Sequence, residues 1–324
     1  PFGDHTGFYS LPDRYPIVNV IAITHREDAV YPTTIVGLPP QEDYYLGKAT
    51  ERVFFPLLKT LIHDIDDYHL PMFGCFHNCA FIRIKKAYPL QARRVMHAVW
   101  GAGQMAWTKM IVVVDDDVDV HDEEAVLRAM FENCDFGRDI ELVNGPLDIL
   151  DHAAPRLGAG HKIGFDATRK LPDENVTLSA VPNSNTPASE RPAHFSAPEP
   201  NQVHHPDFAP NRCTFLRVAK TQAGDGSRAI EATLTQENAP DFVIAVNEHV
   251  DIADWQQVFF HLCANADPGR DIMCIGNKIG FDATSKIPGE DRHDQPVRDY
   301  PPILEMEAVV RQRVSERAAA FGLT

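Results

Sequence analysis

Lys162-Ile163-Gly164-Phe165-Asp166-Ala167-Thr168 decides the organisation of this chain, because the same seven residues recur letter for letter at 278–284. Each copy is followed by any residue, then by Lys, an aliphatic residue and Pro. The similarity also runs backward through three pairs of segments: 135–140 with 267–272, 118–122 with 250–254, and 79–84 with 213–218. Two unrelated segments do not easily share an identical heptapeptide, so residues 77–172 and 211–288 are predicted to be two copies of one module.

The pattern within the first copy predicts strands that alternate with helices. Met110–Val114 is apolar throughout and predicts a strand buried on both faces. Ala80–Ile84 and Ile140–Val143 predict two further strands. Leu90–Met105 and Asp122–Glu132 have helical spacing, and acidic residues in the first turn of the latter suit the helix dipole. Such alternation is typical of an α/β fold in which helices cover a sheet.

The second copy keeps the apolar positions of the first but changes its polar loop. The acidic run Asp115-Asp116-Asp117 becomes Asn247-Glu248-His249, and nothing corresponds to about residues 145–160. The copies are joined by 173–210, which holds seven of the 25 prolines and predicts an extended linker. We therefore predict that the second copy is degenerate and mainly architectural.

Outside the repeat, apolar patterns predict two strands and two helices. The β-branched run Ile17–Thr24 predicts a buried strand, and Thr33–Val36 predicts a second one. Glu51–His63 has helical spacing, with Pro56 at an early turn or a kink. Pro302–Ala320 predicts a final helix, since Pro suits a first-turn position and Gly follows the end.

The composition excludes several classes of protein. The chain has 324 residues, 46 acidic and 30 basic, and a net charge of −16. Such a surface repels phosphate backbones and anionic lipid, so neither nucleic-acid nor membrane-surface binding is expected. No apolar run approaches the roughly 20 residues of a membrane-spanning helix. Six scattered cysteines and the lack of a signal peptide predict buried thiols in a cytoplasmic protein. The first residue is not Met, which predicts that the chain begins inside a longer one.

The most functional-looking stretch is Phe2-Gly3-Asp4-His5-Thr6-Gly7. Asp4 and His5 can both transfer protons, and Gly3 and Gly7 would let the backbone approach a ligand closely. The same residues are also typical of a turn closed by a local bond from Asp4 to the backbone. Local chemistry leaves both interpretations open.

Other candidate sites have a plainer interpretation. The run 115–122 resembles a calcium loop, but Val120 and Val126 stand where an EF-hand requires Gly and Glu, so a loop before a capped helix is favoured. His77-Asn78-Cys79 could place an imidazole and a thiol on one strand face, yet nothing orients the His, and a buried structural Cys is favoured. Lys109 lies at the start of an apolar strand, where a solvated strand end is favoured and a phosphate or carboxylate contact is the alternative. The sequence contains no glycine-rich nucleotide loop and no nucleophile elbow.

Several motifs together resemble the UbiD-type decarboxylases. They occur in order along residues 1–172, at Pro1–Ser10, Thr24–Asp28, Gly37–Pro40, Thr108–Asp117 and Lys162–Lys170. Because separate motifs keep their order, the resemblance is specific over this part of the chain. The second copy and the linker depart from the simplest family architecture.

The resemblance implies a reversible, non-oxidative decarboxylase of aromatic or α,β-unsaturated acids that uses prenylated FMN, in menaquinone or ubiquinone synthesis. In the family an acid beside the cofactor protonates the carbon after carbon dioxide leaves, and the motif places that acid at Asp4. The same comparison implies cofactor contacts from a further set of residues: Pro1, Phe2, Gly3, His5 and Lys109.

The resemblance also implies components that the chain lacks. The first Glu of the family motif would lie just before Pro1, and the family's Arg, Asn, His and Glu, which serve catalysis, metal and cofactor phosphate, lie further upstream. A divalent metal, Mn or Mg, is therefore expected through upstream residues, and none is assigned to this chain. A small aromatic acid as substrate, a flavin prenyltransferase as the source of cofactor, and a homo-oligomer are expected partners.

The expected fold is α/β, with the tail of a β-rich flavin-binding domain before the repeated module. The expected divisions are 1–45 for the end of the flavin domain, 46–76 for a connecting helix and lead-in, 77–172 for the first copy, 173–210 for the linker, 211–288 for the second copy and 289–324 for the C-terminal helix. Two functions of different classes follow. One is a decarboxylase with Asp4 as proton donor, and the other is a non-catalytic assembly or oligomerisation module.

Overall fold

A computed structural model of the chain describes residues 2–31, 36–76, 78–172, 174, 200 and 202–318. Within them the polypeptide forms two five-stranded mixed sheets with helices packed against them. The predicted α/β class is therefore confirmed. No helix in the described part of the chain is both long and apolar enough to cross a membrane.

The first unit has its sheet in the order β1-β2-β3-β5-β4. Its central strands run parallel, and each edge strand is antiparallel to its neighbour. The strand β3 is buried along its whole length, as its uninterrupted apolar sequence predicts. The elements in chain order are α1 (Asp43–Leu61), β1 (Ile65–His69), β2 (Cys79–Ile84), α2 (Gln91–Trp100), β3 (Met110–Val114), α3 (Glu123–Asn133), β4 (Ile140–Pro146) and β5 (Ala159–Asp166).

The second unit has the equivalent order, β6-β7-β8-β10-β9, with the same pattern of strand directions. The first five residues of the two heptapeptides lie on the equivalent strands β5 and β10, and the last two follow the strand end. The elements are β6 (Gln202–His204), β7 (Cys213–Val218), α4 (Asp225–Leu234), β8 (Phe242–Asn247), α5 (Trp255–Asn265), β9 (Ile272–Ile275) and β10 (Lys278–Asp282), followed by α6 (Ala308–Arg317).

Repeated residues also make equivalent polar contacts in the two units. Two sets of three side chains correspond, Lys86, Glu174 and Thr168 in the first unit and Lys220, Glu290 and Thr284 in the second. In both sets the lysine Nζ lies 2.6 Å from a carboxylate oxygen and donates to the threonine hydroxyl, at 2.8 and 2.9 Å. A buried ion pair needs such additional hydrogen bonds to offset the cost of desolvating its charges. The threonine that ends each heptapeptide therefore has a structural role.

The two units share one apolar core. The ring of Phe242 in β8 lies 5.2 Å from that of Phe136 and 6.2 Å from that of Phe165. Such pairs contribute about 0.5–1.5 kcal/mol each beyond their buried area. Elsewhere between the units, Asp267 accepts a hydrogen bond from the backbone N–H of His161 at 2.9 Å, and its other oxygen lies 2.8 Å from His161 Nδ1. The second unit is thus packed against the first through buried surfaces.

Most predicted elements are present with shifted ends. The helix predicted at 51–63 is α1, which begins earlier and contains Pro56. The helix predicted at 90–105 ends at Trp100, and a short 3-10 turn follows at 103–107. The final helix begins later than predicted because residues 302–304 lie against the N-terminal segment instead. All six cysteines are buried free thiols, as predicted.

The predicted strand at Ile17–Thr24 is wrong, since the segment forms no strand and Ile21 is 97% exposed. An apolar run becomes a strand only when a neighbour completes its hydrogen bonds, and none of the described strands pairs with it. Most of the strand predicted at 33–36 lies outside the described residues. Within the predicted linker, 202–204 form the edge strand β6. A strand of three residues is too short to show the alternation of apolar and polar residues from which a strand is predicted.

Gly164 and Gly280 are equivalent positions of the repeat, and both lie in close packing. A Cβ atom at Gly280 would lie 2.2 Å from Cγ2 of Ile230, and one at Gly164 would lie 2.5 Å from Sδ of Met96. Met is flexible and can move aside, whereas the branched Ile side chain is stiff. We expect Gly280→Ala to lower the free energy of unfolding by about 1–3 kcal/mol, and Gly164→Ala to lower it less, in urea denaturation. Gly37→Ala, which meets no atom within 4 Å, is the control. Equal losses at both repeat positions would contradict the packing argument.

Candidate active site

Residues 2–10 form a closed turn. The Gly7 N–H donates to the Asp4 carbonyl at 3.1 Å, and the Asp4 N–H donates to the Phe8 carbonyl at 3.4 Å. Gly7 has a φ of 80°, a left-handed conformation that glycine adopts without steric cost. The turn interpretation and the proton-transfer interpretation are therefore compatible, because the turn is what presents Asp4 and His5.

Asp4 and His5 form a carboxylate–imidazole pair. Asp4 Oδ1 accepts a hydrogen bond from the His5 N–H at 2.8 Å and lies 2.9 Å from His5 Nδ1. Burial raises the pKa of Asp4, but the bonds from the His5 ring and backbone outweigh burial and hold that pKa below its ordinary value. The carboxylate form therefore prevails near neutral pH. Asp4 must gain a proton before it can act as an acid.

A groove of about 790 Å³ lies beside His5. The rings of His5 and Phe76 both line it, with their centroids 5.4 Å apart. The remaining walls are mostly apolar and come from α1, the end of β1 and the 3-10 turn, with Phe54, Leu57, Leu61, Met105 and Trp107 among them. An apolar groove with a few polar groups is typical of a small-molecule site.

The glycines of the turn have a different use from the expected one. A Cβ atom at Gly3 would lie 2.6 Å from Leu304, and one at Gly7 would lie 2.8 Å from Phe260. Both glycines therefore allow a close approach of the protein's own side chains and not of a ligand. Phe2 is half exposed, Pro1 lies outside the described residues, and cofactor contacts from Phe2, Gly3 and His5 stay predictions.

The groove does not provide a complete flavin site. None of the described residues that line it is Lys or Arg, while Asp43 and Glu51 are acidic. A flavin phosphate needs cationic groups or a cluster of backbone N–H donors. The walls suit a planar or apolar group, but the phosphate does not fit here, and we derive no step through bound flavin.

Glu51, His69 and His121 place a carboxylate and two imidazoles near one another, with their ligand atoms within 4.8 Å. Lys48 Nζ, however, lies 2.8 Å from Glu51 Oε2 and contacts His69 Nδ1. A metal ion would have to displace this ammonium group, because both cations would use the same atoms. Two imidazoles and one carboxylate also suit zinc better than Mg. The expected Mn or Mg therefore does not fit the residues described here, and sequence reasoning missed this cluster because its members are far apart in the chain.

Lys109 lies between the two units and does not line the groove. Its Nζ is 2.7 Å from Asp151 Oδ2 and donates to the carbonyls of Cys263 at 2.7 Å and Ala266 at 3.2 Å. The side chain is only 2% exposed, so the favoured solvated strand end is wrong. A cation at the carboxyl end of α5 is also stabilised by the helix dipole. This placement does not support the predicted cofactor contact of Lys109.

The other sequence candidates are structural where the chain is described. The Asp122 side chain accepts from the Ala125 N–H at 3.0 Å and caps α3, so the favoured capped-helix interpretation is confirmed. Arg169 lies 3.2 Å from Asp115 and 2.7 Å from Asp117, so these two acids of the run form ion pairs. Cys79 is buried with its pKa raised by burial, as a structural thiol would be. His77 lies outside the described residues.

Two buried histidines, His152 of the first unit and His261 in α5 of the second, are linked through Asn265. The ring of His152 is 4.4 Å from that of Phe8, and its Nε2 is 3.0 Å from Asn265 Oδ1. Asn265 Nδ2 lies 3.3 Å from His261 Nδ1. Burial lowers the pKa of His152 to about 4 and that of His261 to about 3. Both rings are therefore neutral at physiological pH.

We expect the free energy of unfolding to decrease as pH falls from 6.5 to 4. In that window both histidines take up protons in the unfolded chain but not in the folded one, so protons favour unfolding. Each unit by which folding lowers a pKa corresponds to a loss of about 1.4 kcal/mol in the free energy of unfolding once the pH is below the folded pKa. Urea unfolding between pH 7.5 and 4 measures the slope, which should flatten in a His152→Gln/His261→Gln variant but not in the exposed control His63→Gln. An unchanged slope in the double variant would contradict the assignment.

Comparison with known proteins shows that two family models match this chain. Residues 44–167 and 191–290 match the family model of the 3-octaprenyl-4-hydroxybenzoate carboxy-lyase C-terminal domain. Residues 1–39 match the model of the Rift-related domain of the same carboxy-lyase.

Relatives of the chain occur in several organisms. An uncharacterized protein of Archaeoglobus fulgidus is 50% identical over 175 residues, which is 54% of this chain and 36% of that protein. One of Aquifex aeolicus is 52% identical over 177 residues, 55% of this chain and 36% of that protein. One of Helicobacter pylori is 34% identical over 292 residues, 88% of this chain and 46% of that protein. The chain thus spans less than half the length of these relatives.

Solved structures give weaker similarity. The UbiD-class enzyme HmfF of Pelotomaculum thermopropionicum, in complex with FMN, is 28% identical over 45% of this chain and 34% of its own, with a TM-score of 0.37. The open form of Sedimentibacter hydroxybenzoicus vanillic acid decarboxylase is 25% identical over 50% of this chain and 36% of its own, with a TM-score of 0.43. TM-scores below 0.5 do not establish a relationship, so the family of this chain is assigned from the family models. Because those models match most of the chain, the chain belongs to the UbiD family of carboxy-lyases.

Proposed function

We propose that the chain acts in the non-oxidative decarboxylation of an aromatic or α,β-unsaturated carboxylic acid, with prenylated FMN as cofactor. The observation that carries the proposal is the Asp4–His5 pair beside an apolar groove, within the segment matched by the Rift-related family model. The cofactor is inferred from the family. When bound, it supplies the acceptor for the electrons of the breaking bond.

The step assigned to this chain is proton transfer. Decarboxylation breaks the bond between a carbon and its carboxylate, carbon dioxide leaves, and a proton takes its place on that carbon by using the electron pair of the broken bond. Asp4 donates that proton, and His5 Nδ1, 2.9 Å from the same oxygen, is placed to return one. In the reverse direction the Asp4 carboxylate removes the proton, and its lowered pKa favours this form.

Several finer assignments are part of the same proposal. The substrate is a small aromatic acid of menaquinone or ubiquinone synthesis, and the protein is a homo-oligomer supplied with cofactor by a flavin prenyltransferase. Mn or Mg is bound outside the described residues. The second unit is a degenerate copy of the first, which the identical strand order and the equivalent lysine–glutamate pairs support. The six divisions of the chain expected from the sequence belong to this proposal too.

The alternative is a non-catalytic assembly module. It is favoured by the exposed apolar face of α1, where Val53, Leu57 and Leu61 are all more than half exposed. Soluble proteins rarely leave such a continuous apolar surface without a partner.

A test of the proposed function uses the complete gene product, purified from cells that also make prenylated FMN. The mass of any bound flavin and the release of carbon dioxide from a panel of aromatic acids are measured together. Prenylated FMN with release of carbon dioxide would support the decarboxylase and begin to identify its substrate. A folded protein with neither flavin nor release would favour the assembly module.

A further inference from the structure

We propose that the second unit and the segment that follows it position the Asp4–His5 turn, with Leu304 and Phe260 as positioning residues. The inference rests on the proposed role of Asp4. It assigns a task near the candidate active site to a unit that the sequence suggests is mainly architectural.

The backbone of residues 302–304 holds the outer side of the turn. The Tyr9 N–H donates to the Pro302 carbonyl at 3.0 Å, and the Leu304 N–H donates to the Gly7 carbonyl at 2.9 Å. Phe8 and Ile303 form an antiparallel bridge. The segment after the second unit is therefore bound to the turn by an antiparallel bridge and two backbone hydrogen bonds.

Two side chains, one from α5 and one from the segment after the second unit, pack against the glycines of the turn. Leu304 lies where a side chain at Gly3 would be, and Phe260 lies where one at Gly7 would be. The rings of Phe8 and Phe260 are 6.0 Å apart and nearly parallel. Phe260 is buried within α5, so it provides a rigid surface for the turn.

A different set of residues holds His5 itself. Gln41 Nε2 donates to the His5 carbonyl at 3.0 Å, and the Phe76 ring packs against the His5 ring. The turn is thus held between residues 302–304 and Phe260 on one side, and Gln41 and Phe76 on the other.

Within the turn, the hydrogen bonds made by the Asp4 backbone are longer than the one at its base. The Ser10 N–H donates to the Phe2 carbonyl at 2.8 Å, whereas the two bonds of the Asp4 backbone are 3.1 and 3.4 Å long, and the longer one exceeds the usual range for N–H···O bonds. The hydrogen bonds from His5 that lower the Asp4 pKa depend on this local geometry. Loosening the contacts behind the turn should therefore change the titration of Asp4, although neither Leu304 nor Phe260 carries a charge.

The test compares Leu304→Ala with the wild-type full chain. We expect amide hydrogen exchange at Gly7 and Tyr9 to become faster by on the order of tenfold. We also expect the Asp4 pKa, followed by carboxyl ¹³C NMR, to rise toward its ordinary value. Leu304→Met, which keeps the side-chain volume, should restore both properties. Val309→Ala is the control, because Val309 is exposed on α6 and should leave both unchanged.

Phe260→Leu is a second variant with a milder change of volume. Unchanged exchange and unchanged Asp4 titration in both folded variants would overturn the inference. In the complete gene product, a fall in kcat with KM unchanged would support positioning of Asp4. If the wild type shows no decarboxylation while Leu304→Ala still shifts the Asp4 titration, the positioning stands and the proposed function falls.

Discussion

Asp4→Asn should lower the rate of carbon dioxide release by about 10²–10⁴-fold, the usual contribution of a general acid. Asparagine keeps the shape of the side chain and can still accept the hydrogen bond from the His5 N–H, so the turn should persist. It carries no ionisable proton, so it can neither protonate the carbon nor remove a proton from it in the reverse direction. The measurement is the initial rate at saturating substrate in the complete gene product, together with the flavin content.

Asp13→Asn is the matched control for this variant. Asp13 is an exposed carboxylate of the same segment, and it accepts only a local bond from the Arg14 N–H at 2.7 Å among the contacts described. It should retain the wild-type rate. Normal turnover in Asp4→Asn would remove Asp4 from the mechanism and leave the Asp4–His5 pair as a structural feature of the turn.

Lys109→Met should lower the free energy of unfolding by about 3–5 kcal/mol, the usual cost of removing one partner from a buried ion pair. Methionine fills a similar volume, but it leaves Asp151 buried without its cation and leaves the carbonyls of Cys263 and Ala266 without a donor. Because these partners join the first unit to α5 of the second, the loss should appear in a single unfolding transition. Urea denaturation followed by circular dichroism measures it.

Two further variants make this prediction specific. Lys109→Met/Asp151→Asn removes both charges and should recover a large part of the lost stability, because no uncompensated charge remains buried. Lys85→Met removes a lysine from an exposed position and should change the free energy of unfolding by less than about 0.5 kcal/mol. A similar loss in Lys85→Met and Lys109→Met would refute the buried-pair argument.

The sequence predicted structure best where the structure depends on residues that are close together in the chain. The apolar run at 110–114 is the buried strand β3, and Asp122 caps α3 as its position before an acidic turn indicates. The repeat placed the first five residues of its two heptapeptides on equivalent strands. In contrast, 17–24 has the composition of a strand but no described partner, because strand formation depends on a second segment that composition does not specify.

The candidate site was predictable only in part, for a related reason. Asp4 and His5 were identified because their chemistry is evident from residue type and from the family motif. Gln41 and Phe260 were missed, since each acts across a large separation in sequence and neither has a residue type that suggests a site.

By itself, the amino-acid sequence determined the α/β class, the repeated module, the buried thiols and the family to which the chain belongs. These properties follow from local periodicity, residue type and motif order. Only the tertiary structure decided that Lys109 stabilises the contact between the units, that Gly3 and Gly7 make room for Leu304 and Phe260, and that residues 302–304 hold the Asp4 turn. Such roles depend on which distant side chains share a desolvated space, and that is set by the packing of the whole chain.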